Sequence, residues 1–268
     1  GVELLDIEKD NFVSRRTMLD GPFPSLQISR TVAECDYLIN VPVLKAHGET
    51  KLTCSLKNLK GVMPKDMKPR FHSVDLHKSV AQLNTILSSD YIIVDGAFGD
   101  LSNEMGGTPM EMGIMVSGKD PLEIDSFASG VLGFSPDDIL HLKYYAGYRE
   151  EDLSSYRPER KELNRPVEQR SFTVETDPFK RFPCRVSGEG VCCTCRGNLV
   201  FALKRLSERG VLTSRQHFVI GRRGKLGSGE KVAVGDCAVS RIKAGGDDSY
   251  IPVGGCPPES RHILERVI

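Results

Sequence analysis

The sequence is poor in the signals that most directly name a protein's surroundings. Neither charge is in excess: 36 Lys and Arg balance 36 Asp and Glu. That balance excludes bulk attraction to nucleic acid or to an anionic membrane, and leaves local charged pockets as the available binding devices. No apolar run approaches the roughly 18–20 residues of a membrane-spanning helix. The opening Gly1-Val-Glu-Leu-Leu-Asp6 has neither the basic start nor the apolar stretch of a secretory leader, so the expected location is cytoplasmic. An initiator Met is also lacking, and the expectation is a processed chain or a fragment. No internal repeat is found, and the cysteines have no histidines at the spacing of a mixed zinc site.

What is present is enough for ordinary cores. At 268 residues, 39% hydrophobic and 27% charged, the chain suits one large domain or two smaller ones. Asp36-Tyr-Leu-Ile-Asn-Val41, ending at Pro42, predicts a buried strand. Leu52, Leu56 and Leu59 predict a helix face stopped by Gly61, and Leu76, Val80, Leu83 and Leu87 a longer one. Tyr91–Val94, ending in Asp95-Gly96, and Met112–Val116 predict two more strands. Asp120 is placed as an N-cap before Pro121, with Glu123 completing a capping box. That helix turns Ile124, Phe127, Ala128 and Val131 inward. Alternating strands and helices give an α/β class, with a mostly parallel sheet in a larger N-terminal domain over 1–148. Ligands of such sheets bind outside the strands' carboxyl ends, so 42–47, 95–107 and 118–120 are expected on one rim, with 99–107 as a mobile ligand loop. Residues 149–181, dense in charge, read as a linker or exposed excursion. A smaller α/β cysteine-rich unit is expected over 182–268, with a helix over 199–206, strands at 218–220 and 231–234 and a last helix from Pro257.

The larger domain carries a candidate anion site. Lys45 and His47 follow the first strand, and Thr53 and Lys57 stand at i, i+4 with Asn58 beside them. Lys60, Arg70 and His72 are near in sequence. Ammonium groups supply charge, while hydroxyl and amide groups supply directed donors. Lys45, Thr53, Lys57, Asn58 and Asp125 are therefore the candidate ligand-binding residues for a small anionic ligand or substrate. His47, His72 and Asp95 are the candidate proton-handling groups. The plainer readings stand beside these: lysines near a helix C-terminus favoured by its dipole, Asp95 closing a turn, Asp125 facing solvent.

The run Ile39-Asn-Val-Pro-Val-Leu-Lys-Ala-His47, then Leu56-Lys-Asn-Leu-Lys-Gly61, Ile93-Val-Asp-Gly96, Gly106-Gly-Thr-Pro109, Gly118-Lys-Asp-Pro-Leu-Glu-Ile-Asp125 and Leu132-Gly-Phe134 resembles the domain-of-unknown-function 362 family over about residues 30–148. The resemblance implies an α/β fold, and iron–sulfur centres in some members. It also implies a further strand-rich segment ahead of the match, which this chain lacks. Two motifs depart from the family pattern: Lys-Thr-His reads Lys45-Ala46-His47, and Asp-Pro-Val-Ala-Val-Asp reads Asp120-Pro-Leu-Glu-Ile-Asp125.

Eight cysteines are present, and six fall between Cys184 and Cys256. With no export signal, metal binding or redox chemistry is expected over disulfides. Cys192, Cys193 and Cys195 lie in Gly-Val-Cys-Cys-Thr-Cys-Arg-Gly, Cys237 in Val-Gly-Asp-Cys-Ala, and Cys256 in Val-Gly-Gly-Cys-Pro-Pro-Glu. Each group sits in a glycine-rich turn, and four thiolates suffice for an iron–sulfur cluster. Pro257-Pro258 is expected to start a helix with Cys256 at its positive end. These motifs resemble the cluster-binding subunit of respiratory complex I and the hydrogenase small subunits. That resemblance implies a [4Fe–4S] cluster on Cys192, Cys193, Cys237 and Cys256; by CxxC spacing alone, Cys195 stands in for Cys193. Zinc is the alternative guest. Three roles follow: a redox protein with an electron-transfer partner; a binding or assembly module with a structural cluster or zinc; or a metal-dependent, non-redox enzyme using Asp95 and His47, its tail braced by disulfides.

Overall fold

The computed structural model describes residues 1–17, 20–101, 109–153, 161, 163, 172, 174, 177–224 and 227–268, apart from the side chain of Cys193. The chain divides into two compact units: residues 1–46, 50–101 and 109–174 form one, and 47–49, 102–108 and 175–268 the other. Most of the expected linker, and of the expected ligand loop, lies outside the described residues.

The first unit opens with an antiparallel pair, β1 (Phe12–Arg16) and β2 (Ser25–Ser29), followed by the short helix α1 (Arg30–Glu34). Its main sheet is built from β3 (Ile39–Asn40), β4 (Val43–His47), β5 (Lys51–Thr53), β6 (Tyr91–Asp100) and β7 (Pro109–Gly118), in the order β3-β6-β4-β5 with β7 also on β6. β3 and β4 run parallel to β6, whereas β7 runs antiparallel. The sheet is therefore mixed, not mostly parallel: β7 pairs antiparallel with β6 from Asp100–Pro109 to Ile92–Gly118, which a direct return of the chain allows. The expected strand at 36–41 is cut to two residues, and the chain resumes as a strand beyond Pro42. Pro has no N–H to give a ladder, and it sits at the break.

The intervening helices are α2 (Ser55–Asn58), α3 (Met67–Val74) and α4 (Leu76–Ile86), followed after the sheet by α5 (Pro121–Val131) and α6 (Leu140–Tyr148). Leu52 belongs to β5 and Leu59 to a 3₁₀ turn, so the first expected helix shrinks to one turn. The second keeps its stripe, with Leu76, Val80 and Leu83 buried. Asp120 caps α5, accepting from the Leu122 amide at 2.8 Å, with Pro121 in the first turn. Its carboxylate also takes a two-pronged bond from Arg149 at 2.8 and 2.9 Å. Leu26, Ile28, Leu44, Leu56, Phe71, Ile92 and Leu122 share one core with these helix faces.

The second unit is a parallel α/β layer. β8 (Arg185–Gly188), α7 (Cys193–Glu208), β9 (Gln216–Ile220), β10 (Glu230–Val234), α8 (Asp236–Ala244), β11 (Ile251–Val253) and α9 (Ser260–Val267) follow in order. The sheet order is β11-β10-β9-β8, and each described pairing is parallel. β9 is buried throughout. Phe218 and Ile220 pack with Leu199, Leu203 and Leu206 of α7, while Val219 packs with Ala238 and Ile242 of α8. Burial on both faces explains why this strand reads as a continuous apolar run. α7 starts six residues earlier than its leucine stripe suggests; β8, α8 and β11 are additions to the expected elements.

Candidate functional site

The site is built at the carboxyl edge of the parallel sheet. Gly188, Ile220, Val234 and Val253 lie in one row across its four strands. Each strand then runs into glycine: Gly190, Gly221, Gly235 and Gly254-Gly255. Gly190, Gly221, Gly235 and Gly255 all take positive φ, a conformation that costs other residues strain. Gly221 has no room for a side chain in any case. A Cβ there would stand 2.6 Å from Val191 and 2.9 Å from the Glu189 carbonyl. The turn after β9 is thus packed against the turn that delivers Cys192.

Three of the four strand ends deliver thiols. Cys192 is the N-cap of α7, with its carbonyl accepting from Arg196 at 3.1 Å, and Cys195 lies in that helix's first turn. Cys237 is the second residue of α8. Both helix N-termini present amides and positive dipole ends that favour thiolate. Cys256 follows β11 after Gly254 and Gly255. It does not open a helix: Cys256 and Pro257 lie in a bend, Glu259 is an extended cap, and α9 begins at Ser260. The Cys256 turn is instead tied to the Cys237 turn. Asp236 donates its amide to the Gly255 carbonyl at 3.1 Å and accepts the Gly255 amide on Oδ1 at 2.7 Å. Gly235 donates to Val253 at 2.8 Å, and Asn198 of α7 donates to the Pro258 carbonyl at 2.8 Å. Three distant stretches of chain are so fastened into one rim.

The electrostatics of the thiols show that they converge. A hydrogen bond with the Cys192 thiol, then burial, then the neighbouring thiols of Cys256 and Cys237 hold the Cys195 thiol well above its usual value. Burial, then Cys237, Cys192 and Asp236, raise Cys256, while Arg222 opposes them. Cys195 is buried, Cys192 and Cys237 are half-buried, and Cys256 is exposed. Cys195 and Cys256 both resist ionising, in part because of the other thiols on the rim, and a cationic guest would relieve that repulsion. Among the described residues no group of three or more His, Cys, Asp or Glu is placed so that it could hold a metal ion. Cys193 heads α7, its side chain outside the described atoms. Cys184 packs in the apolar core, its thiol raised to about 11 by burial.

In the first unit the expected anion-site residues resolve into separate contacts. Lys57 is buried on α2 and donates to the Thr53 hydroxyl at 3.0 Å. Asn58 donates to Asn40 at 2.8 Å, and Lys60 Nζ stands 2.6 Å from His72 Nε2. Lys45 lies within β4, in register with Asp100, rather than beyond the strand. His47 closes β4 and falls in the other unit; it is buried, and its Nδ1 accepts from the Glu49 amide at 3.1 Å. Asp95 sits inside β6, which runs on to Asp100, and accepts from the Ala97 amide at 3.0 Å, the turn-closing role.

Asp125 is fully buried, not facing solvent. Its Oδ1 accepts from the Ser55 amide at 2.8 Å and the Ser55 hydroxyl at 2.6 Å, and Oδ2 from the Leu56 amide at 3.1 Å. Burial holds this carboxyl above its usual value, opposed by those hydrogen bonds. Asp125 therefore caps α2 from a distant helix. Arg222, Asp236 and Asn198 were missed as site residues. The signal was there for Arg222: Gly221-Arg222 follows its strand as Gly235-Asp-Cys follows the next.

Comparison with known proteins places a likeness on the first unit. A family described as "Domain of unknown function (DUF362)" matches residues 1–130, just under half of the chain. It starts earlier than the motif resemblance and stops short of Leu132-Gly-Phe134. The chain is also 29% identical over 147 residues to "Thylakoid-associated protein sll1697" of Synechocystis, covering 52% of this chain and 46% of that protein. The chain thus spans about half the length of that curated relative. No solved structure matches significantly. No helix among the described residues is long and apolar enough to cross a membrane.

Proposed function

We propose that this chain is an iron–sulfur protein with a redox role, holding a [4Fe–4S] cluster on Cys192, Cys195, Cys237 and Cys256. The observation that supports the reading is that three strand ends of one parallel sheet each deliver thiols, with the Cys237 and Cys256 turns tied together by the Asp236–Gly255 hydrogen bonds. When bound, such a cluster supplies one-electron transfer. The protein's own part is to hold and bias it. Cys192, Cys195 and Cys237 present thiolates at helix N-termini; the Asp236–Gly255 pair and Asn198 fix the distance between the turns. Buried Cys195 marks the inner side, and exposed Cys256 faces the side from which an electron-transfer partner approaches. A small anionic ligand or substrate in the first unit is the second half of the proposal. Buried Lys57 with Thr53, and Lys60 with His72, support it as two cationic pairs near one short helix. His47, His72 and Asp95 are the proton-handling candidates, and cytoplasmic residence belongs to the same proposal.

Anaerobic purification with metal and sulfide analysis tests it. The expected result is a brown protein with about four iron and four acid-labile sulfide per chain, lost in the Cys192→Ser, Cys256→Ser double variant. A colourless protein with stoichiometric zinc would transfer the site to a structural zinc role. Thiols found locked in disulfides would end the metal reading.

A further inference from the structure

We propose that the outer edge of β7 is where a second copy of this chain docks, continuing the main sheet of the first unit across a twofold axis. Among the described residues β7 pairs with β6 alone, although it is ten residues long. Its other edge is a row of backbone donors and acceptors, a template for a further strand. Folded proteins blunt such edges with proline, an inward charge or a bulge. Beyond Pro109, β7 has no proline, and its core-facing Met112, Ile114 and Val116 are apolar. A bulge is present, but towards one end: the register with β6 shifts between Gly96 and Phe98, where Gly113 takes φ +66°. From Ile114 to Gly118 the ladder is regular. The alternate residues Glu111, Gly113, Met115 and Ser117 are exposed. Met115 is 75% exposed, a large apolar side chain where a guarded edge would carry a charge. The charges stand at the two ends instead, Glu111 four residues before Met115 and Lys119 four after it. Both are exposed, and neither enters an ion pair among the described residues. Two copies paired antiparallel about Met115 set Ile114 opposite Val116 and bring each Glu111 to the partner's Lys119. The bulge displaces that pair by one residue, within the reach of a lysine side chain. A parallel pairing would set Glu111 against Glu111 and Lys119 against Lys119. Opposite charges placed symmetrically about an apolar centre thus fit this strand to its own reversed copy, the self-complementarity of an isologous interface.

The test is sedimentation equilibrium of the full chain, under reducing conditions and at low ionic strength, from low to high micromolar protein. The parent is expected to show a monomer–dimer equilibrium. Across a twofold axis each substitution acts twice. Glu111→Lys and Lys119→Glu each set like charges at both ends of the pairing, and should raise the dissociation constant about tenfold. The double variant Glu111→Lys, Lys119→Glu brings opposite charges together again and should return the constant to near the parent value. Lys65→Glu, the same charge change on an exposed turn, should leave it unchanged. A parent that stays monomeric at high micromolar concentration overturns the inference. So does a dimer indifferent to the single substitutions, an equal shift in Lys65→Glu, or a double variant as dissociated as either single one. Hydrogen exchange of the parent gives a reading that needs no variant to fold. Amides over 114–118 should exchange more slowly at high protein concentration than at low, and equal exchange overturns the inference. None of these readings depends on a metal, so the cluster reading stands or falls separately.

Discussion

His217 shows how a single side chain in the second unit ties pH to stability. It is buried in β9, with Nδ1 accepting from the Gly227 amide at 3.1 Å and Nε2 2.9 Å from the Ser187 hydroxyl. That pattern requires an unprotonated Nδ1 and so a neutral ring. Burial, then Arg185 and Lys231, lower its pKa from the usual value near 6.5. A histidine with a lowered folded pKa binds its proton less tightly than the unfolded chain does. Its contribution is therefore complete above about 6.5 and is lost as pH falls through the folded value. The melting temperature of the second unit should drop between pH 7.5 and 5.5, and His217→Asn should flatten that slope. A slope unchanged by the substitution would assign it to other groups. Residue-scale chemistry was only half legible in advance. The cysteines were, because thiols beside glycine are rare without a purpose. The choice among Cys192, Cys193 and Cys195 was not, since it depends on where α7 begins.

The element scale is where Asp125 belongs. It sits on α5 and closes the N-terminus of α2, a helix of four residues whose own cap position, Cys54, makes no side-chain capping bond. Removing the carboxylate strands the Ser55 and Leu56 amides in the core. Asp125→Ala should cost about 3 kcal/mol by denaturant titration, the range for a buried charged acceptor and its orphaned donors. A loss under about 1 kcal/mol would mean those amides find other acceptors. From sequence, a polar residue between apolar ones on a helix reads as solvent-facing, because its partners lie 70 and 69 positions away. The direction of β7 was hidden for another reason, since an apolar strand reads alike whichever way it pairs with β6, whereas the helix start at Asp120-Pro121 was plain because capping is local. Strand ends followed by glycine and cysteine were legible for the same local reason; their meeting on one rim was not.

At the scale of the whole molecule, two units with separate cores predict two separable unfolding events. A guest bound by four thiols of the second unit stabilises that unit alone. Chelation under reducing, anaerobic conditions should therefore lower one calorimetric transition and leave the other in place. Equal movement of both, or of neither, would contradict this division of labour. The two units also divide the comparisons with known proteins: the family likeness stops at residue 130, so the thiol rim stands outside it.

The rim has a consequence for how the protein matures. Among the described residues β11 pairs with β10 alone, at the end of the sheet, and it leads into the turn that holds Cys256. A chain in which that last strand has not yet docked offers three thiols and an open corner. Were the rim to hold the proposed cluster, its loading would report completion of the sheet: a half-folded chain would present an incomplete set of donors, and colour would appear only once the last strand had docked.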